Sequence, residues 1–265
     1  MSQQEIFNYY APKNNYIGIL SIPHSGEFIP AEFKNFLSEN QADLDCDLDY
    51  KVDELVDIDM LTEGGIAVIV SNIHRACVDL NRAEKESVLN WKSNSKGIEI
   101  VKSEPTAETK SLLESKYHIP YFEMIKTMIN ELHKKTTKPI TLIDLHSMPS
   151  TATEYHLKVT PNQPEKRPHF CISNIKGLSC ESQFLDDLEL KLRNITTNIN
   201  QNFPYYGGFI TRHIHATFER INNVQIEISR EIYMDEVEHV MIPEKAKKLK
   251  EELTRYLIEF YIANQ

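Results

Sequence analysis

Pro139-Ile140-Thr141-Leu142-Ile143-Asp144-Leu145-His146-Ser147 is the stretch that decides the fold. Its apolar, largely β-branched run shows no period-two alternation, so it reads as a strand buried on both faces. Such strands belong to parallel or mixed sheets covered by helices on both sides. The run ends in Asp144, His146 and Ser147, and open α/β sheets bind ligands at the carboxyl ends of their strands. Tyr16 to Ile22 repeats the pattern, closing on Pro23 and delivering His24-Ser25-Gly26. Ile66 to Val70, Cys77 to Leu80, Phe170 to Ile172 and Val224 to Ile228 are further candidate strands. In the last of these, Gln225 and Glu227 share the face opposite Val224, Ile226 and Ile228.

Helical patterns fall between the strands. They cover Ala31 to Leu37, Asp49 to Leu61, about 120 to 134, about 181 to 194, and a final helix opened by Pro243. Gly64-Gly65 stops the second of these. The alternation predicts an α/β fold of three layers: a mixed, mostly parallel sheet flanked by helices, in one domain spanning 1–265. The polar segment from 83 to about 116 holds the only tryptophan, Trp91, and reads as a long surface excursion of the kind that forms lids.

A net charge of −10 argues against a nucleic-acid partner, which needs a concentrated basic face. The four cysteines form no C-x-x-C pair and suggest no disulfide framework. The N-terminal residues lack the pattern of a signal peptide, and no apolar run approaches the roughly 20 residues that span a bilayer. The expected location is therefore the cytoplasm, without a membrane partner.

Two histidines at strand ends beside carboxylates suit a catalytic zinc, which takes three protein ligands and leaves one position open. The bland alternative for each histidine is a structural or solvent-facing side chain. Glu227 on a buried strand is costly without a job or a partner. Its structural alternative is an ion pair with Arg230 or Arg212. A serine hydrolase built on Ser25 or Ser147 is the weaker chemistry, because neither lies in a G-x-S-x-G elbow.

Six stretches, taken in order, resemble the N-formylglutamate amidohydrolase (deformylase) family of the zinc carboxypeptidase-like superfamily. They are Ser-Ile-Pro-His-Ser-Gly at 21–26, Asp-Leu-Asp-Tyr at 47–50, Arg-Ala-Cys-Val-Asp-Leu-Asn-Arg at 75–82, Asp-Leu-His-Ser at 144–147, Tyr-Gly-Gly-Phe-Ile-Thr-Arg at 206–212, and Val-Gln-Ile-Glu-Ile-Ser-Arg-Glu-Ile-Tyr-Met-Asp-Glu at 224–236. The resemblance implies a phosphorylase/hydrolase-like fold with a zinc, or another divalent transition metal, on His24 and His146. It makes Glu227 the catalytic acid–base. It makes Arg75, Asn81 and Arg82 a clamp for a substrate carboxylate, with Arg212 adding a second anionic contact. The implied substrate is a small acidic N-acyl amino acid, N-formyl-L-glutamate first.

The third metal ligand stays open between two acids. Glu27 has the His-x-x-Glu spacing of zinc carboxypeptidases, whereas Asp49 lies in a stretch that belongs to the deformylase-like pattern. The alternative for either is a solvated acid or, for Asp49, a helix N-cap. Asp144, two residues before His146, is placed to orient that histidine or to cap the strand end. Two rivals keep the fold: a carboxypeptidase-like or other N-acyl amino acid hydrolase, and a non-catalytic binding protein.

Overall fold

The computed structural model describes residues 6–265. Seven strands form one sheet: β1 Phe7–Tyr10, β2 Gly18–Ile22, β3 Ile66–Ser71, β4 Ile140–Met148, β5 Phe170–Ser173, β6 Ile199–Gln201 and β7 Ile221–Ser229. Their order across the sheet is β1-β3-β2-β4-β7-β5-β6. The four central strands, β3, β2, β4 and β7, run parallel. β1 lies antiparallel on one edge, and β5 lies antiparallel against β7, itself carrying β6 in parallel. The sheet is thus mixed and mostly parallel at its centre. A separate two-stranded ribbon pairs β8, Met234–Asp235, with β9, Val240–Met241.

Eight α-helices flank the sheet among the described residues: α1 Gln41–Asp45, α2 Ile58–Glu63, α3 Ala107–Tyr117, α4 Ile119–Lys135, α5 Glu154–Val159, α6 Ser182–Leu192, α7 Phe209–Thr217 and α8 Pro243–Ala263. On one face, Tyr121, Ile125, Met128, Ile129 and Leu132 of α4 and Ile210 and Ile214 of α7 pack against Ile19, Leu142 and Ile221. On the other face, Phe184, Leu185 and Leu188 of α6 and Leu249, Leu253 and Leu257 of α8 pack against Leu20, Ile143 and Ile226. Side chains alternate between faces along a strand, so each central strand feeds both cores. This double burial explains the unbroken apolar runs. No helix among the described residues is long and apolar enough to cross a membrane.

The first of these faces changes character along the strands. In β4 it reads Ile140, Leu142, then Asp144 and His146. In β7 it reads Ile221, then Asn223, Gln225 and Glu227. In β2 it passes from Ile19 to Ser21. The amino-terminal ends build core, and the carboxyl ends build a polar floor.

Several expected elements take another form. Asp49 to Leu61 is not one helix but a 3₁₀ turn at Val52–Leu55 and then α2, parted by Val56 in an extended conformation. Asp57 caps α2 by accepting from the Met60 amide at 3.1 Å. Ala31 to Leu37 keeps only one 3₁₀ turn, because Leu37 leaves to pair with Val101. Cys77 to Leu80 is outside the sheet and bridges back on its own excursion through Val78 and Val88. The polar excursion is irregular over 83–106, and its last part is α3.

Candidate metal centre and substrate cavity

His24 lies two residues beyond the end of β2, and His146 lies near the end of β4. Parallel pairing of these strands brings Ser21 opposite Asp144 and converges the two histidines, whose ring centroids are 4.9 Å apart. Asp49 reaches the same point because its backbone is tied to the β2 end: its amide donates to the His24 carbonyl at 3.1 Å. His24, Asp49 and His146 are all buried, and one ligand atom from each lies within 4.8 Å of the others.

Both histidines point Nδ1 at Asp49. Asp49 Oδ2 is 3.0 Å from His146 Nδ1 and 3.6 Å from His24 Nδ1. Ligand atoms on a tetrahedral zinc-sized ion sit roughly 3.3 Å apart. The far nitrogens are turned to other carboxylates. Asp144 Oδ2 is hydrogen-bonded to His146 Nε2 at 2.8 Å, and Asp144 is itself held by a 2.8 Å bond from Ser21 Oγ, which also meets the Tyr121 hydroxyl. Asp79 Oδ1 stands 2.9 Å from His24 Nε2, but off the N–H direction, so that contact is electrostatic. Carboxylate behind, imidazole in front is how metal-binding histidines are oriented.

His24 Nδ1 and Asp49 Oδ1 are buried with no hydrogen-bond partner among the described residues. Orphaned acceptors of this kind are expensive unless something else meets them. Two imidazoles and one carboxylate form a borderline donor set suited to zinc. On both counts these residues fit a divalent metal.

Glu27 does not join the cluster. Its side chain is exposed and lines a separate groove with Lys51, Asp53 and Glu54. Gly26 lies so close to the Asn72 backbone that no side chain fits there, and the chain leaves the centre at that point. The His-x-x-Glu spacing therefore aims the acid away. Asp49 is not a helix cap either, since the turn at Val52–Leu55 has Lys51 at its N-cap position.

Glu227 sits beside His146 across the β4–β7 ladder, where the two are register partners. It is 7% exposed. Gln225 Nε2 donates to its Oε1 at 2.7 Å, and Gln225 Oε1 accepts from the Gly208 amide at 2.5 Å. Burial pushes the Glu227 carboxyl up to about 7, opposed by the nearby His146 and Arg75 charges. Burial also works to raise Asp49 and Asp79, but the histidines hold Asp49, and Arg75 with His24 hold Asp79, well below the usual range. Burial disfavours charge on His146, yet Asp144 and Asp49 carry it well above its ordinary value. The ion-pair alternative for Glu227 is not found. Arg230 donates to the carbonyls of Cys46 and Leu48, and Arg212 donates to the Gly207 carbonyl.

A cavity of about 300 Å³ opens onto the histidines, Asp49 and Glu227. Arg75, Asn81, Arg82 and Arg212 all line it. Arg75 donates to the Asp47 carbonyl at 2.8 Å and lies 3.4 Å from Asp79 and 3.6 Å from Asp49, with its Nε unpartnered among the described residues. Arg82 keeps a long 3.9 Å contact to Asp79 and lies over the Trp91 ring, whose Nε1 donates to Asp79 at 2.7 Å. Asn81 commits its Oδ1 to the Ile210 amide in the first turn of α7, so it also fixes the helix carrying Arg212. Gly208 sits against the Asn81 side chain with no room for a Cβ.

Sequence reasoning missed three contributors. Asp79 lies on an irregular segment outside the sheet, where no strand or helix period marks it. Arg167 and Tyr155 come from chain between β4 and β5 that carries no periodicity. The sole available signal for Arg167 was an arginine next to the buried strand β5.

The N-formylglutamate amidohydrolase family model matches residues 18–234. Among solved structures, the N-formylglutamate amidohydrolase of Ralstonia eutropha JMP134 superposes with a TM-score of 0.85 at 22% identity, covering 98% of each chain. The gene product Atu2144 of Agrobacterium tumefaciens superposes with a TM-score of 0.71 at 17% identity, covering 96% of each chain. At these identities the two structures speak for the fold. Comparison with curated protein sequences returns no match.

Proposed function

Since the chain belongs to the N-formylglutamate amidohydrolase family, we propose that it hydrolyses the amide of N-formyl-L-glutamate to formate and glutamate with a divalent metal, zinc first, held by His24, Asp49 and His146. The observation that carries this reading is the placement of Glu227. An acid raised to about 7 stands beside His146, over a cavity lined by arginines. When bound, the metal supplies Lewis acidity, polarising the acyl carbonyl and lowering the pKa of a water.

The chain's own residues do the rest. Glu227 takes a proton from the attacking water as the C–O bond forms, then passes it to the amide nitrogen as the C–N bond breaks. A carboxyl poised near neutrality suits both transfers. Gln225 fixes its orientation through Oε1. The unpartnered Nε of Arg75 is the donor at hand for negative charge on the former carbonyl oxygen. Arg82 and Arg212 hold the α-carboxylate. An arginine fork meets a carboxylate bidentately, and the Trp91 ring under Arg82 keeps its plane set. The test is formate release from N-formyl-L-glutamate by the purified protein, followed by NMR. Absence of formate from zinc-loaded protein would end this reading.

A further inference from the structure

Five arginines line the cavity: Arg75, Arg82, Arg167, Arg212 and Arg230. Three of them face carboxylates of the protein, Arg75 and Arg82 at Asp79 and Arg230 at Asp49. Among the described residues, Arg167 and Arg212 have no such partner. Arg212 is exposed, so water screens it. Arg167 is 1% exposed.

Neutral groups surround the Arg167 guanidinium. Its Nε and one terminal nitrogen both donate to Gln163 Oε1, at 3.2 and 3.0 Å, and the other reaches the Pro149 carbonyl at 3.5 Å. It lies over the Tyr205 ring, 5.2 Å from the centroid. A cation buried without a counter-charge is destabilising. The fold does not need this one as a pin, because backbone bonds already close the segment's base. Arg167 N donates to the Ser150 carbonyl at 2.8 Å, and Ala152 N to the Glu165 carbonyl at 2.7 Å.

We infer that Arg167 is the receptor for a second substrate carboxylate, the one on the side chain, and makes the cavity selective for dicarboxylates. This rests on the function proposed above and adds which residue reads the acidic side chain. The two arginines without protein carboxylates match the two carboxylates of such a substrate. A cavity of about 300 Å³ is at the small end of ligand pockets and suits a molecule of that size.

Calorimetry with L-glutamate and L-glutamine on the zinc-loaded full chain tests the receptor, since the two differ in side-chain charge. Wild type is expected to bind glutamate about 10–100-fold more tightly, the range of one charge-assisted pair. Arg167→Met should lose that preference while its affinity for glutamine stays put. No preference in wild type, a preference retained in Arg167→Met, or equal weakening of both ligands overturns the proposal. If circular dichroism shows Arg167→Met unfolded, Arg167→Lys decides: a preference cut several-fold at constant glutamine affinity supports the receptor, and an unchanged one overturns it. Formate release is read separately. Glutamate preference without hydrolysis supports the receptor and removes the proposed reaction. Hydrolysis of N-formyl-L-glutamate and N-formyl-L-glutamine at equal kcat/KM overturns the receptor and keeps the hydrolase.

Discussion

The floor of the cavity comes from parallel strands paired residue by residue, whereas its walls come from chain between the strands. His146 and Glu227 belong to a ladder that pairs Ile140 with Ile221 and continues to Met148 with Ser229. Arg82, Trp91, Tyr155 and Arg167 belong to segments whose pairing is limited to isolated bridges, such as Ser93 with Glu99 and Thr151 with Lys166. The proposed metal binding and proton transfer need side chains held to within about half an ångström, which the ladder supplies for His146 and Glu227; His24 stands two residues beyond β2, and Asp49 is tied to it by the bond from its amide to the His24 carbonyl. Bridged loops tolerate sequence change and set selectivity. Substitutions in the floor should therefore remove chemistry, and those in the walls should alter binding.

The three proposed metal ligands carry the largest expected effect. His24→Ala, His146→Ala and Asp49→Asn should each lose the metal and lower kcat/KM by more than about 10³-fold, beyond the cost of one oxyanion donor. Glu27→Gln should leave metal content untouched. Elemental analysis of the four variants reads this, and loss of metal from Glu27→Gln alone would reverse the ligand assignment.

Next comes Glu227→Gln, which should keep the metal and lower kcat by roughly 10²–10⁴-fold. The same substitution has a signature in metal-stripped protein. The folded Glu227 carboxyl is raised by burial from 4.5 to about 7. A raised folded pKa gives stability that is complete below pH 4.5 and lost as pH rises through about 7. Denaturation should show wild type losing up to about 3 kcal/mol relative to Glu227→Gln between pH 4.5 and 8. A pH-independent difference would mean that Glu227 is not desolvated.

Wall effects are smaller. Arg82→Ala should raise KM roughly 10–100-fold with kcat little changed, as expected for one charge-assisted pair. Arg82→Lys should recover part of this. Steady-state kinetics decide, and a fall in kcat alone would move Arg82 from binding to chemistry. Least of all, Tyr155→Ala removes a 5.9 Å contact with Trp91 and should change KM about threefold. A hundredfold loss there would show that the walls, like the floor, are rigid.

The contrast also governs what was legible in the sequence. Ile140 to Ile143 and Tyr16 to Ile22 announce themselves because burial on both faces demands continuous apolar side chains, and the polar residues that end them mark the floor. His24, His146 and Glu227 follow from that pattern. The choice between Asp49 and Glu27 does not, because it depends on the path taken after Gly26. Edge strands β1 and β6 are only four and three residues long and mostly partly buried, so neither the aromatic Phe-Asn-Tyr-Tyr nor Ile-Asn-Gln runs long enough to show a strand period. The helix α7 was hidden inside Phe-Ile-Thr-Arg-His-Ile-His-Ala-Thr, where only Ile210, Thr211 and Ile214 are buried. Arg167 and Asp79 escape for another reason: they lie on irregular chain, and only the fold brings Tyr205 to the one and His24 to the other.

The most direct test is metal stoichiometry measured beside formate release from N-formyl-L-glutamate, before and after chelation. The proposed function requires about one divalent ion per chain, turnover that stops when the ion is removed, and turnover that returns with zinc. Undiminished hydrolysis by metal-free protein would contradict the central assignment of His24, Asp49 and His146.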